Sequence, residues 1–248
     1  MGMSNELKAA VLDVDGTLYP GALGVELLRA LMAAGACHRT RAEGVLEVLR
    51  QYKQGAIDFP TMATRAYTLY AQALEGIRCD TVDALAWKVW EEERRKLFGF
   101  VRPLVGLLRE AGYGCVIISG SPQEMIQRVA DELGVSLACG ALFSRREGHY
   151  TGGVDLSSGA LGEKSRIFDA VTRGQDVRLE RCFALGDSLT DSALFERLGL
   201  PLAFEPEPAL RVLAQQRGWA VATREDVLER TRELLAAPAR EASPKPHG

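Results

Sequence analysis

Four stretches of this chain carry groups suited to handling a phosphoryl group, and three of them close apolar, strand-like runs. Asp13 and Asp15, in Asp13-Val14-Asp15-Gly16-Thr17-Leu18, come directly after Ala9 to Leu12. Ser119-Gly120 follows Val116-Ile117-Ile118, and Asp187 and Asp191 follow Phe183-Ala184-Leu185. Lys164, after a glycine-rich stretch, is the fourth. In an open α/β sheet, ligands bind beyond the carboxyl ends of the strands, so residues at these places can meet in one pocket. Paired acids, a hydroxyl, a lysine and paired acids, in that order, fit phosphoryl transfer. A calcium loop would also begin Asp-x-Asp, but its twelfth position, which requires glutamate, is Gly24 here.

The elements that must position these groups can be read from periodicity. Lys8 to Asp13 reads as a short buried strand. From Gly21 to Phe98 the texture turns helical, with apolar residues at helical spacing over 24–34, 41–52, 61–74 and 81–98, separated at Gly35, Gly55 and Gly76. Pro60 suits a first helical turn, and Asp80 or Thr81 suits a cap. Beyond Phe98, strands are expected at 114–119, 138–143, 182–185, 201–204 and 219–221. Helices are expected at 103–110, 122–133, 164–171 and 191–198, with a β-hairpin arm over 144–154. Alternating strands and helices imply a parallel sheet with right-handed crossovers. The expected fold class is α/β: a Rossmann-like parallel-sheet core formed by 1–19 and 99–236, with a four-helix-bundle cap inserted at 20–98 and a disordered tail at 237–248.

Composition narrows the function classes. The 248 residues carry a net charge of −3, which gives no basic footprint for nucleic acid. The five cysteines are widely and irregularly spaced, without a Cys-x-x-Cys pair, against zinc ribbons and thioredoxin-like redox sites. Cys115 and Cys182 lie in apolar runs and read as small core residues. The first residues lack the basic-then-apolar pattern of a signal peptide, and no apolar run is long enough to span a bilayer. A cytoplasmic protein without membrane or nucleic-acid partners is the expectation, and nothing in the pattern fixes an oligomeric state.

With these motifs in place, the chain resembles the haloacid-dehalogenase-like hydrolase superfamily over roughly residues 6 to 235. Within it, the chain is similar to the phosphoserine-phosphatase-like branch, whose helical cap follows the first motif. The resemblance implies that Asp13 is a nucleophile forming an aspartyl-phosphate, and that Asp15 is the general acid and base. It implies that Ser119, Gly120 and Lys164 hold the phosphate, helped by the N-terminus of the next helix, where Ser121 also suits an ordinary cap. Asp13, the backbone carbonyl of Asp15, and Asp187 would hold Mg²⁺, an ion that favours all-oxygen ligation. Asp191 would order Lys164 or a metal-bound water, Thr17 would orient the phosphate or Asp15, and Ser188 suits a helix cap.

The second acid, Asp15, points to phosphoester rather than carbon–halogen chemistry. The implied activity is Mg²⁺-dependent hydrolysis of a small phosphorylated metabolite. The same motifs would serve a phosphotransferase or mutase, and a binder that retained the fold without catalysis is the third alternative. The cap would choose the leaving group, with Glu26, Arg50, Lys53 and Arg65 as polar candidates and Tyr19, Tyr52, Phe59, Tyr67 and Trp87 as aromatic ones. Phosphoserine phosphatases carry a glutamate nine residues past the nucleophile, and Ala22 stands there in this chain.

Overall fold

The computed structural model describes residues 7–237, so the readings of the extreme N-terminus and of the tail beyond Ala237 fall outside the described residues. The first strand is β1 (Ala9–Leu12), and four helices follow it: α1 (Leu23–Ala33), α2 (Arg39–Lys53), α3 (Phe59–Leu74) and α4 (Cys79–Glu93). The chain continues through α5 (Val101–Glu110), β2 (Gly114–Pro122), α6 (Gln123–Leu133), β3 (Leu137–Arg146) and β4 (His149–Leu156). It ends with α7 (Glu163–Val171), β5 (Phe183–Gly186), α8 (Ser192–Phe195), β6 (Leu200–Phe204), α9 (Pro208–Arg217), β7 (Ala220–Ala222) and α10 (Val227–Ala236).

Among the described residues the strands form one sheet in the order β4-β3-β2-β1-β5-β6-β7. All neighbours are parallel except β3 and β4, which form the expected hairpin. This order decides where the chemistry sits. The chain leaves β1 towards β2 and β3 on one side and returns to β5 and β6 on the other, so β1 marks the point where the winding reverses. Leu12 lies level with Ile117 of β2 and with Leu185 of β5. The residues just beyond these three strand ends therefore share one edge of the sheet.

Alternation along β1 supplies both faces of the core. Ala10 and Leu12 join a buried cluster with Leu104 of α5 and Ile126 of α6, whereas Ala9 and Val11 join Phe168 of α7 and Leu210 of α9 on the opposite face. Helices thus cover both sides of the sheet, as a parallel sheet requires. The apolar faces of the cap helices, including Leu27, Leu31, Tyr70 and Trp90, belong to the first of these clusters. The cap is thereby seated on the core through continuous apolar packing.

Local signals account for most boundaries. Asp58 caps α3 by accepting the Thr61 N–H at 2.9 Å, with Pro60 in the first turn. Gly134 closes α6 in the left-handed conformation (φ +63°). Other boundaries differ from expectation. Arg78, not Asp80 or Thr81, occupies the cap position of α4, and Asp80 instead pairs with Arg78 from within the first turn. The helix expected to reach Phe98 ends at Glu93 and tightens into a 3₁₀ turn over Arg94–Lys96. In place of a helix over 191–198, a 3₁₀ turn (Leu189–Asp191) precedes the short α8, because Ser188 and Asp191 form a reciprocal capping box. Helices α9 and α10 are additions to the expected pattern. All five cysteines are unpaired; Cys182 is buried, as expected of a core residue, and Cys115 is partly buried. Among the described residues, no helix is long and apolar enough to cross a membrane.

Candidate active site

Asp13, Asp15, Lys164 and Asp187 line one cavity of about 330 Å³ between the end of the sheet and the cap. Asp13 is buried just past β1, with its backbone N–H donating to the Leu185 carbonyl at 3.0 Å. Its carboxylate pairs with the fully buried Lys164, at 2.9 Å between Oδ1 and Nζ. Lys164 also donates to Asp191 Oδ1 at 2.7 Å. The other oxygen of Asp191 accepts the Ser188 N–H at 3.2 Å. Asp191 and Asp13 thus share the Lys164 ammonium.

Two glycines admit the acids to this small space. A Cβ on Gly16, at φ +78°, would lie 2.1 Å from Asp187 Oδ2, and a Cβ on Gly186 would lie 2.1 Å from the Asp191 carboxyl carbon. Any side chain at either position would displace a carboxylate. Thr17, expected to orient the phosphate or Asp15, makes no hydrogen bond to Asp15. Its hydroxyl donates to Asp187 Oδ1 at 3.1 Å, fixing that acid from the first motif.

Asp15 is held from three directions. The Leu23 N–H donates to Oδ1 at 2.8 Å, while Ser121 and Ser119 donate to Oδ2 at 2.6 and 3.2 Å. Ser121 also accepts the Gly24 N–H at 2.7 Å, which ties the start of α1 to β2. Here the structure departs from the reading of Ser121 as a helix cap: Pro122 occupies the cap position of α6, and Ser121 orients Asp15 instead. The strand is longer than the 114–119 expected from the sequence. β2 runs on to Pro122, and residues two apart on a strand share a face, so Ser119 and Ser121 address the same neighbour. Ser119 is fully buried, with its carbonyl accepting from Ser158 at 2.6 Å. Gly120 lines the cavity, and its carbonyl accepts the Tyr67 hydroxyl at 3.0 Å.

The electrostatics follow from crowding. Burial pushes the Asp13 carboxyl well above the usual carboxylate range; Asp191, Asp187 and Asp15 add to this, and Lys164 opposes it. Burial also raises Asp15, against the hydrogen bonds from Ser121, Leu23 and Ser119. Asp187 is pushed up to about 7 by burial and by repulsion from Asp191. Burial disfavours the Lys164 ammonium most strongly, yet Asp13 and Asp191 outweigh it and hold the group above its ordinary range. Four acids thus face one buried cation, a balance that calls for further positive charge. Carboxylate oxygens of Asp13, Asp187 and Asp191 lie within 4.8 Å of one another. This all-oxygen set fits a hard divalent ion such as Mg²⁺. The Asp15 side chain lies outside this group and is engaged by Leu23, Ser121 and Ser119.

The cap candidates divide sharply. Tyr52, Lys53, Phe59 and Tyr67 line the cavity, as does Ala22. Tyr19 is buried and donates to Glu93, and Trp87 is half-exposed beside Arg128. Glu26 pairs with Arg29, Arg50 with Glu47, and the exposed Arg65 reaches Gln51. Glu207, from the loop before α9, lines the cavity without having been anticipated.

The family model for haloacid dehalogenase-like hydrolases matches residues 10–196, and the chain belongs to this family. A putative hydrolase of Mycobacterium leprae is 26% identical over 219 residues, covering 86% of this chain and 71% of that protein. A phosphoserine phosphatase of Archaeoglobus fulgidus is 26% identical over 211 residues, covering 85% of this chain and only 56% of that protein. Relatives bearing that name carry the resemblance to the phosphoserine-phosphatase-like branch. A solved structure of a protein of unknown function from Bordetella pertussis Tohama I shares the fold, with a TM-score of 0.75 at 21% identity over 89% of this chain and all of that one.

Proposed function

We propose that the protein is a Mg²⁺-dependent phosphatase that hydrolyses small phosphomonoesters through an aspartyl-phosphate on Asp13. The observation that carries this reading is the buried Asp13–Lys164 pair at 2.9 Å on the floor of a cavity that Asp15 also lines. An Asp13 oxygen attacks phosphorus while Asp15 gives a proton to the departing alcohol oxygen, so the ester P–O bond breaks as the acyl-phosphate forms. The raised affinity of Asp15 for a proton suits that first step. Asp15 then takes a proton from water, which attacks the phosphorus and releases phosphate from Asp13. Lys164 lies beside the oxygen charge that builds up at Asp13, and the Gly120 backbone lies beside the incoming phosphoryl group. Mg²⁺, held by Asp13 and Asp187 with Asp191 adjacent, supplies charge neutralisation when bound.

The demand on these groups is large. Phosphate-monoester hydrolysis is among the slowest uncatalysed reactions, and an enzyme must lower its barrier by about 20 kcal/mol or more. Positioning and charge stabilisation supply most of that reduction. The unpaired cysteines suit a reducing cytoplasm. The reading is tested by release of phosphate from 4-nitrophenyl phosphate with and without a chelator, in the wild type and in Asp13→Asn. Release that stops on chelation and is absent from a folded Asp13→Asn protein supports it. Full activity in that variant overturns Asp13 as nucleophile, and faster breakdown of the phosphoenzyme in added alcohols assigns transfer in place of hydrolysis.

A further inference from the structure

The cavity is charged at its floor and apolar almost everywhere else. Val45 and Leu49, four residues apart, share one face of α2, and Phe59, Met62 and Ala66 share one face of α3. Both faces turn inwards, and Phe143 of β3 closes the far wall. Most polar atoms in this part of the wall are already engaged by the protein, and the Tyr52 hydroxyl, near Glu207 at the rim, is the exception. The Tyr67 hydroxyl donates to the Gly120 carbonyl at 3.0 Å and accepts the Gly159 N–H at 2.9 Å. The Tyr70 hydroxyl donates to the Gly24 carbonyl at 3.0 Å. The Ser121 hydroxyl is shared between Asp15 and the Gly24 N–H. At position 22, beside the floor, stands the methyl group of Ala22. Among the described residues lining the cavity, the charges off the floor are Lys53 and Glu207, both exposed at the rim, where water screens them.

We infer that the preferred substrate is the phosphate ester of an uncharged, apolar alcohol whose aromatic or branched-alkyl body fills the space between α2, α3 and Phe143. This rests on the phosphatase reading and specifies its leaving group. An ammonium, a carboxylate or several hydroxyls placed there would lose water and meet at most the single hydroxyl of Tyr52. A phenyl or branched alkyl body would instead displace on the order of ten waters from a cavity of this size. Amino-acid, amine and sugar phosphates are therefore the disfavoured classes.

The test compares kcat/KM of the Mg²⁺-loaded wild type for 2-phenylethyl phosphate and 3-methylbutyl phosphate with that for phosphoserine, phosphoethanolamine and glycerol 3-phosphate. All are alkyl esters, so leaving-group reactivity differs far less than between alkyl and aryl esters. Calorimetry with 2-phenylethylphosphonate and 2-aminoethylphosphonate reads the same preference without turnover. The expected result is a preference for the phenylethyl compounds of about 10- to 100-fold in both readouts, the amount that burying one such side chain confers. Leu49→Asn should erase most of that preference through KM, with little change in kcat, and Lys53→Ala should leave it intact. Equal or faster hydrolysis of phosphoserine overturns the inference and transfers recognition to Lys53 and Glu207, while the phosphatase reading stands. Absence of hydrolysis of every ester, 4-nitrophenyl phosphate included, removes the phosphatase reading itself and the inference with it.

Discussion

On the floor of the cavity, Asp13, Asp15, Asp187 and Asp191 crowd around Lys164, and nearly every contact is a directional bond between named atoms. Across from them, α2 and α3 present Val45, Leu49, Phe59 and Met62, which are placed by packing. The two regions answer to different physics. Directional bonds between buried charges fail when one partner is removed, because the other is left unpaired in a dry site. Apolar packing tolerates replacement of similar volume at a cost of about 1.5 kcal/mol or less. The floor should therefore be intolerant of change for every substrate, and the roof should be permissive in stability but selective in substrate.

The largest effect that sharpens this contrast is expected from Lys164→Met. Removal of the ammonium leaves Asp13 and Asp191 facing each other, and stability should fall by about 3–5 kcal/mol in metal-free protein. The fall in kcat should reach about 10²- to 10³-fold for all esters alike. Urea unfolding and steady-state kinetics measure both. A loss confined to one substrate class would break the distinction between floor and roof.

Next is the pH response of metal-free protein. Asp187 is held near 7 in the folded state and its unfolded value is an ordinary carboxylate one, with Asp13 raised in the same direction. The folded form thus binds protons that the unfolded form does not, between about pH 4 and 7. The contribution of this cluster to stability grows as pH falls from 8 through 7 towards 5 and is lost as pH rises. Melting temperatures at pH 5.5 and 8 should show this gain in wild type and a smaller one in Asp187→Asn, and Mg²⁺ should flatten it. Identical slopes for the two proteins would contradict the assignment of buried, repelling acids.

A smaller effect is expected where floor and roof are stitched together. Burial pushes the Tyr67 hydroxyl up to about 12, so it remains a donor at neutral pH. Tyr67→Phe would leave the Gly120 carbonyl and the Gly159 N–H without this partner, at a cost of about 1–3 kcal/mol by denaturant unfolding. No change in stability would mean that these groups find other partners and that Tyr67 does not fasten the cap.

The contrast also explains what the sequence disclosed. Asp13, Lys164 and Asp187 were legible because each follows a glycine-rich turn or a short apolar run, and sheet topology brings such ends together. The division into strands and helices was equally legible, since periods of 2 and 3.6 differ plainly over ten residues. Hydrogen-bond partners were harder: Thr17 lies two residues after Asp15 yet serves Asp187, a choice made only when β1 and β5 pair. The inward faces of α2 and α3 carry the same apolar periodicity whether they pack on a core or line a cavity, so Leu49 and Met62 could not be told from core residues. Helix α9 had usable signals in Pro208 at its first turn and Gly218 at its left-handed end. Its apolar positions are sparse, with only Leu210 and Ala214 buried, which weakened the pattern.

The most direct test of the account is to quench the wild type during turnover of a ³²P-labelled phosphomonoester and locate the label by peptide mapping. The expected result is label on the peptide containing Asp13, released by hydroxylamine as an acyl-phosphate must be, and absent from Asp13→Asn. Label on any other residue, or turnover persisting in Asp13→Asn, would contradict it.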